Sequence, residues 1–134
     1  MYAPTDSCEV HRDDRGLIAD VFYNASVQHV AIIESVPDAV RGNHFHKSTT
    51  QHILVVQGSL QYWFMQVGDA PDTWSGSSAT FVDVRVGDLV TTPPYEAHAL
   101  KIGPAGCVFL ALSQGLRGGR DYEQDTFRVP TIIG

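Results

Sequence analysis

A chain of 134 residues that is 43% hydrophobic and 18% charged has material for one substantial core, and is read as a single domain over residues 1–134. A formal charge of −6 argues against a nucleic-acid surface, and no apolar run approaches the roughly 20 residues a membrane helix needs. The opening MYAPTDSCEVHRDD lacks a basic start followed by an apolar stretch, so no signal peptide is read there and a cytoplasmic location is the default expectation.

Almost nothing reads as helix. Short apolar runs rich in Val, Ile, Phe and Tyr alternate with Gly, Pro, Asp, Asn and Ser, the pattern of an all-β chain. Strands are predicted at 17–23 (LIADVFY), 28–35 (QHVAIIES), 39–46 (AVRGNHFH), 51–57 (QHILVVQ) and 59–66 (SLQYWFMQ). The breaker-rich VGDAPDTWSGSSA (67–79) then reads as a surface loop. Further strands are predicted at 80–85 (TFVDVR), 88–93 (DLVTTP), 98–103 (HALKIG) and 107–113 (CVFLALS). The C-terminal tail, 114–134, mixes glycines with opposed charges and is expected to wrap the surface or a partner chain. So many short strands must close into a barrel or stack as a jelly-roll sandwich to protect their edges.

The stretch RGNHFHKSTTQ (41–51) carries the chemistry. Side chains alternate along a strand, so His44 and His46 project to one face. If the next strand runs antiparallel, Gln51 shares a face with Ile53 and Val55 and can meet the histidine pair, while His52 turns away. GDLVTTPPYEAHAL (87–100) contributes a third histidine, His98. Three converging neutral imidazoles suit either proton transfer or a transition metal. His11 and His29 have no partners at ligand spacing, and Glu96 is expected to be solvated. Of Tyr62, Trp63 and Phe64, at least one should reach the interior as packing. Cys8 and Cys107 form no CxxC unit; Cys107, in an apolar run, reads as a small buried thiol.

These spacings resemble the two motifs of the cupins. Gly42, His44, His46, Gln51 and Gly58 follow the first, with glutamine where glutamate is usual, and Gly87, Pro93 and His98 follow the second, with Tyr95 where glycine is usual. The resemblance spans core motifs 42–58 and 87–98 and implies a single-domain cupin jelly-roll β-barrel. Within the cupins, DDRGLIADVF (13–22) and VRGNHFH (40–46) resemble segments of dTDP-4-dehydrorhamnose 3,5-epimerase-like proteins and of the related 3,4-ketoisomerases, which carry glutamine at the spacing of Gln51. The RGNH-x-H run is also similar to the zinc-holding C-terminal cupin of capsular polysaccharide enzymes, which have glutamate at that position.

What this resemblance implies is isomerisation or epimerisation of a nucleotide-linked 4-keto-6-deoxy sugar through an enediolate, with no cofactor required. His44 would be the base and His46 its partner, Arg15 and Arg41 would bind the diphosphate, and Gln51 would touch the substrate. A homodimer is expected, and the end of the chain, including Tyr122, resembles the ketoisomerase C terminus and is expected at its contact. Arg15 and Arg41 can equally serve as buttresses for carboxylates such as Asp13. Two alternatives stand beside this reading. One is a metal-dependent, dioxygenase-like cupin enzyme holding one divalent transition metal (Zn, Ni or Fe) on His44, His46 and His98, with Gln51 a possible further ligand. The other is a non-catalytic cupin that binds a sugar or other small molecule.

Overall fold

The computed structural model describes residues 9–22, 25–67, 79–115 and 124–133. Cys8 and Tyr122, and most of the loop expected at 67–79, lie outside the described residues. Among them there is no helix, and so none long and apolar enough to cross a membrane. The all-β expectation holds.

The chain opens with a hairpin of β1 (Glu9–Asp13) and β2 (Gly16–Asp20), a two-stranded sheet apart from the rest. Seven strands make the body: β3 (His29–Ser35), β4 (Val40–Phe45), β5 (Thr50–Gln66), β6 (Thr80–Arg85), β7 (Leu89–Thr92), β8 (Glu96–Gln114) and β9 (Phe127–Arg128). All pairings are antiparallel.

β5 and β8 are each one long strand where the sequence suggested two. They bend together. Gly58 in β5 has φ +78° and Gly106 in β8 has φ +80°, and a Cβ on Gly58 would run into the Gly106 carbonyl oxygen. With no Cβ on either, the backbones approach closely enough for the ladder to continue through the bend, at the cost of register shifts between Val55 and Gln57 and between Gly58 and Leu60. Local sequence marks Gly58 and Gly106 as breakers; only the facing strand shows that they are corners.

The bend builds two walls from the same pair of strands. One has the order β3, the 107–113 half of β8, the N-terminal half of β5, then β7. The other runs β9, β4, the first half of β8, the second half of β5, then β6. Ile53, Val55, Leu60, Tyr62, Val84, Val90, Leu100, Ile102 and Phe109 fill the space between them, and Cys107 is a buried free thiol there, as expected. This is the jelly-roll β-barrel.

Other boundaries moved by a few residues: 17–23 became β2, ending at Asp20, and 39–46 ended at Phe45. β1 and β9 were not foreseen. The tail does wrap the surface, in that β9 pairs with β4 of its own chain.

Candidate active site

The histidine cluster begins with a backbone irregularity in β4. Gly42 has φ +92° and Asn43 φ 59°, and the register against β8 shifts between Gly42 and His44. A Cβ at Gly42 would stand 2.9 Å from the His98 carbonyl oxygen, so glycine lets β4 lie against β8 at this point. Asn43 is held by the C-terminal segment, its Oδ1 accepting the Ile132 N–H at 2.8 Å. Past the bulge, His44 sits directly opposite His98. His46 follows on the same side, while Phe45 between them turns the other way to stack on Phe127.

The outcome is three buried imidazoles with ring centroids 4.7, 5.0 and 5.3 Å apart and one nitrogen from each within 4.8 Å of the others. The bonds at Nδ1 fix two of the tautomers. A carbonyl only accepts, so His46 donates Nδ1–H to the Asp125 carbonyl at 2.7 Å and His98 donates Nδ1–H to the Glu96 carbonyl at 3.1 Å. In the neutral form both Nε2 atoms then carry a lone pair.

Asp125 does more than accept from His46. Its carboxylate receives the Lys47 and Ser48 N–H groups, each at 2.9 Å, and the Thr49 hydroxyl at 2.7 Å. Burial pulls this carboxyl upward, but the Thr49 bond and the backbone donors outweigh it and hold it below the ordinary aspartate value. The turn after His46 is thereby clamped by a residue nearly eighty positions away.

Over the cluster opens a cavity of about 330 Å³. His44, His98 and Gln51 line its polar part, and Ile33, Ile53, Leu100 and Phe109 supply apolar walls. Gln51 lines the same cavity as His44 and His98. His46 lies behind this lining, fully buried. Arg41 and Arg128 also line the cavity. Arg41 donates from Nε to the Ser35 hydroxyl at 2.7 Å, and Arg128 donates to the Gly42 carbonyl at 3.3 Å. Arg128 was missed by sequence reasoning, because nothing in TFRVP shows that this segment docks on β4.

Arg15 is not brought to this cavity. It sits on the β1–β2 hairpin with its guanidinium on the Asp13 carboxylate at 2.6 Å, and holds that carboxyl below its usual value, so the buttress reading describes what it does within one chain. His52 faces away from Gln51, as expected, and its ring nitrogens bond Thr91 and Gln114. Tyr95 is exposed, packs near Phe45, and does not line the cavity.

The expectation for Glu96 is overturned. It is fully buried, accepting the Tyr62 hydroxyl at 2.8 Å beside Thr92, because β8 starts two residues before His98 and alternation turns both side chains inward. Tyr62 lies near-parallel to His98, at 6.0 Å between ring centroids and 8° between planes. Burial, and then the Glu96 charge, push the Tyr62 phenol well above its ordinary value, so it stays a neutral donor.

A bent jelly roll with an HxH pair opposite a histidine of the paired strand β8 is the arrangement that the cupin resemblance implied. The chain belongs to the polysaccharide biosynthesis C-terminal domain family, whose model matches residues 11–103. No curated protein sequence matches it. Among solved structures, the chain is similar to the QdtA 3,4-ketoisomerase of Thermoanaerobacterium thermosaccharolyticum in complex with TDP (20% identity, 91% of this chain, 84% of that one, TM-score 0.71). It is also similar to the dTDP-4-dehydrorhamnose 3,5-epimerase of Bacillus anthracis with TDP and PPi bound (15% identity, 90% and 74%, TM-score 0.72). A third likeness is to the capsular polysaccharide assembling protein CapF of Staphylococcus aureus (21% identity, 92% of this chain but 33% of that one, TM-score 0.62).

Proposed function

We propose that this chain isomerises or epimerises a nucleotide-linked 4-keto-6-deoxy sugar. The observation that carries the proposal is His44 at the wall of an apolar-sided cavity that Arg41 and Arg128 also line. The family match to polysaccharide biosynthesis and the fold shared with a ketoisomerase and epimerases support the same reading.

Hydrogens on carbons beside a ketone are acidic because the resulting carbanion delocalises onto the carbonyl oxygen. His44 takes such a proton, and the C–H electron pair becomes the enediolate. The uncharged Gln51 amide donates to the developing oxyanion. Passing the adjacent hydroxyl's proton to the old carbonyl oxygen and returning the abstracted proton to the old carbonyl carbon moves the ketone; protonating the same carbon from its opposite face, with a proton from solvent, epimerises. His46 is a positioning residue in this scheme: its donation to Asp125 fixes its ring, and it packs against His44 from behind. Arg41 and Arg128 hold the diphosphate as charge-assisted forks.

The protein is taken to be a cytoplasmic homodimer. Val30 and Ile32 on the outer face of β3 are 57% and 75% exposed, and β3 has one strand neighbour among the described residues, a combination a second copy would cover. Sedimentation of the purified protein measures this.

The test of the reaction is solvent exchange. In D2O with TDP-4-keto-6-deoxyglucose, the wild type should incorporate deuterium at a carbon next to the ketone and His44→Asn should not. Absence of exchange by the wild type at every such carbon sinks the proposal.

One observation favours a second reading. Three buried imidazole nitrogens within 4.8 Å of one another fit one divalent transition metal, zinc, nickel or iron, on His44, His46 and His98, with Gln51 a possible fourth donor. A metal there would supply Lewis-acid polarisation of a carbonyl. The two readings compete, since a ligating His44 cannot also remove the proton.

A further inference from the structure

On the second wall, the side chains that alternate with Leu60 and Tyr62 point away from the histidines. They form three rows across the strands. Phe81 lies opposite Trp63, Asp83 lies opposite Gln61 with Lys101 on its other side, and Arg85 lies opposite Ser59. At the strand rise of about 3.3 Å per residue the rows span about 13 Å. The first is an aromatic ledge, the Trp63 and Phe81 rings stacked at 4.6 Å with Phe81 41% exposed. The other two line a cavity of about 360 Å³, larger than the one over the histidines. At one edge of it Gly103 lies tightly against Ser59, where a Cβ would stand 3.0 Å from the Ser59 carbonyl oxygen.

The polar lining is balanced: Asp83 and Asp38 against Arg85 and Lys101, with Gln61 between. Among the described residues, neither the Asp83 carboxylate nor the Arg85 guanidinium bonds another side chain. A polyanion would meet two carboxylates and a polycation two cations. A neutral polyhydroxylated ligand satisfies both, because each hydroxyl donates and accepts, and its apolar C–H face can rest on an aromatic ring. We infer that this groove is a second binding site, for a short neutral oligosaccharide, separate from the histidine cavity. It lies on the opposite side of the β5–β8 wall, so it stands or falls independently of the proposed reaction.

The test is an array of neutral oligosaccharides probed with wild-type protein, Phe81→Ala and Asp83→Ala, with thermal unfolding of all three followed by circular dichroism as the control for folding. Wild type should retain at least one saccharide, and each variant should weaken that binding about tenfold while remaining folded at the assay temperature. Two results overturn the inference: no saccharide retained by wild type, or retention that survives both substitutions and is competed by TDP, which would place the sugar in the histidine cavity.

Discussion

Replacing Gly42 by alanine probes the contact that brings His44 to His98, and Gly87 supplies its control. The two have nearly equal φ, +92° and +90°, but a Cβ at Gly87 would meet nothing within 4 Å, whereas at Gly42 it would stand 2.9 Å from the His98 carbonyl and 3.1 Å from the Ala99 Cα. Holding an L side chain in left-handed backbone costs about 1–2 kcal/mol. Gly87→Ala should show that cost alone. Gly42→Ala must in addition push β4 off β8 by a few tenths of an ångström, against backbone that cannot rotate away, for a total of about 2–4 kcal/mol. At roughly 3 °C per kcal/mol for a domain of this size, thermal unfolding followed by circular dichroism should show losses of about 3–6 °C for Gly87→Ala and about 6–12 °C for Gly42→Ala. The displacement separates the paired histidines, so deuterium exchange into the keto sugar should fall in the Gly42 variant and remain in the Gly87 variant. Equal unfolding temperatures for the two, or full exchange activity in Gly42→Ala, would refute the claim that this approach assembles the site.

Asp125→Asn removes the carboxylate that accepts from the turn after His46, and should lower stability at pH 7 by about 1–3 kcal/mol in urea denaturation. The folded-state value is depressed, so the stabilisation is fully present above the unfolded aspartate range near 3.9 and is lost as pH falls through the lowered folded value, where wild type and variant should converge. Arg128→Ala should weaken TDP binding by about tenfold or more in calorimetry with the unfolding temperature nearly unchanged, since among the described residues its guanidinium makes a single long hydrogen bond, to the Gly42 carbonyl. For the metal reading, elemental analysis of wild type should find about one equivalent of a transition metal, lost in both His46→Ala and His98→Ala, and Gln51→Glu should raise affinity by adding an anionic oxygen ligand. A metal-free wild type from metal-replete medium would eliminate that reading and leave proton transfer by His44.

Much of the fold was legible because strand alternation is a local property. HxH at two-residue spacing put His44 and His46 on one face, and the same rule turned Gln51 inward and His52 away. What was illegible depends on partners distant in sequence. Gly58 and Gly106 look like strand ends until they face each other across the bend. Arg128 and Asp125 belong to the site only because the tail docks on β4, and a pattern confined to RDYEQDTF shows no such destination. Glu96 misled for a different reason: a carboxylate in a turn-rich segment is usually solvated, and the phenol and amide that make its burial tolerable come from Tyr62 and Gln66, on another strand. Arg15 was placed by its motif, but the hairpin that carries it stands apart from the body of the same chain.

The docking of β9 on β4 also has a consequence for the order of events during synthesis. β4 emerges early, carrying His44, yet the residue that clamps the turn after His46 and one of the two arginines at the cavity lie more than seventy positions later. A nascent chain that stops at Gln114 has all three histidines and every strand of the two walls except β9, but no Asp125 and no Arg128. Pairing of strands β3 through β8 and docking of β9, which brings Asp125 and Arg128 to the histidines, are therefore separable in time.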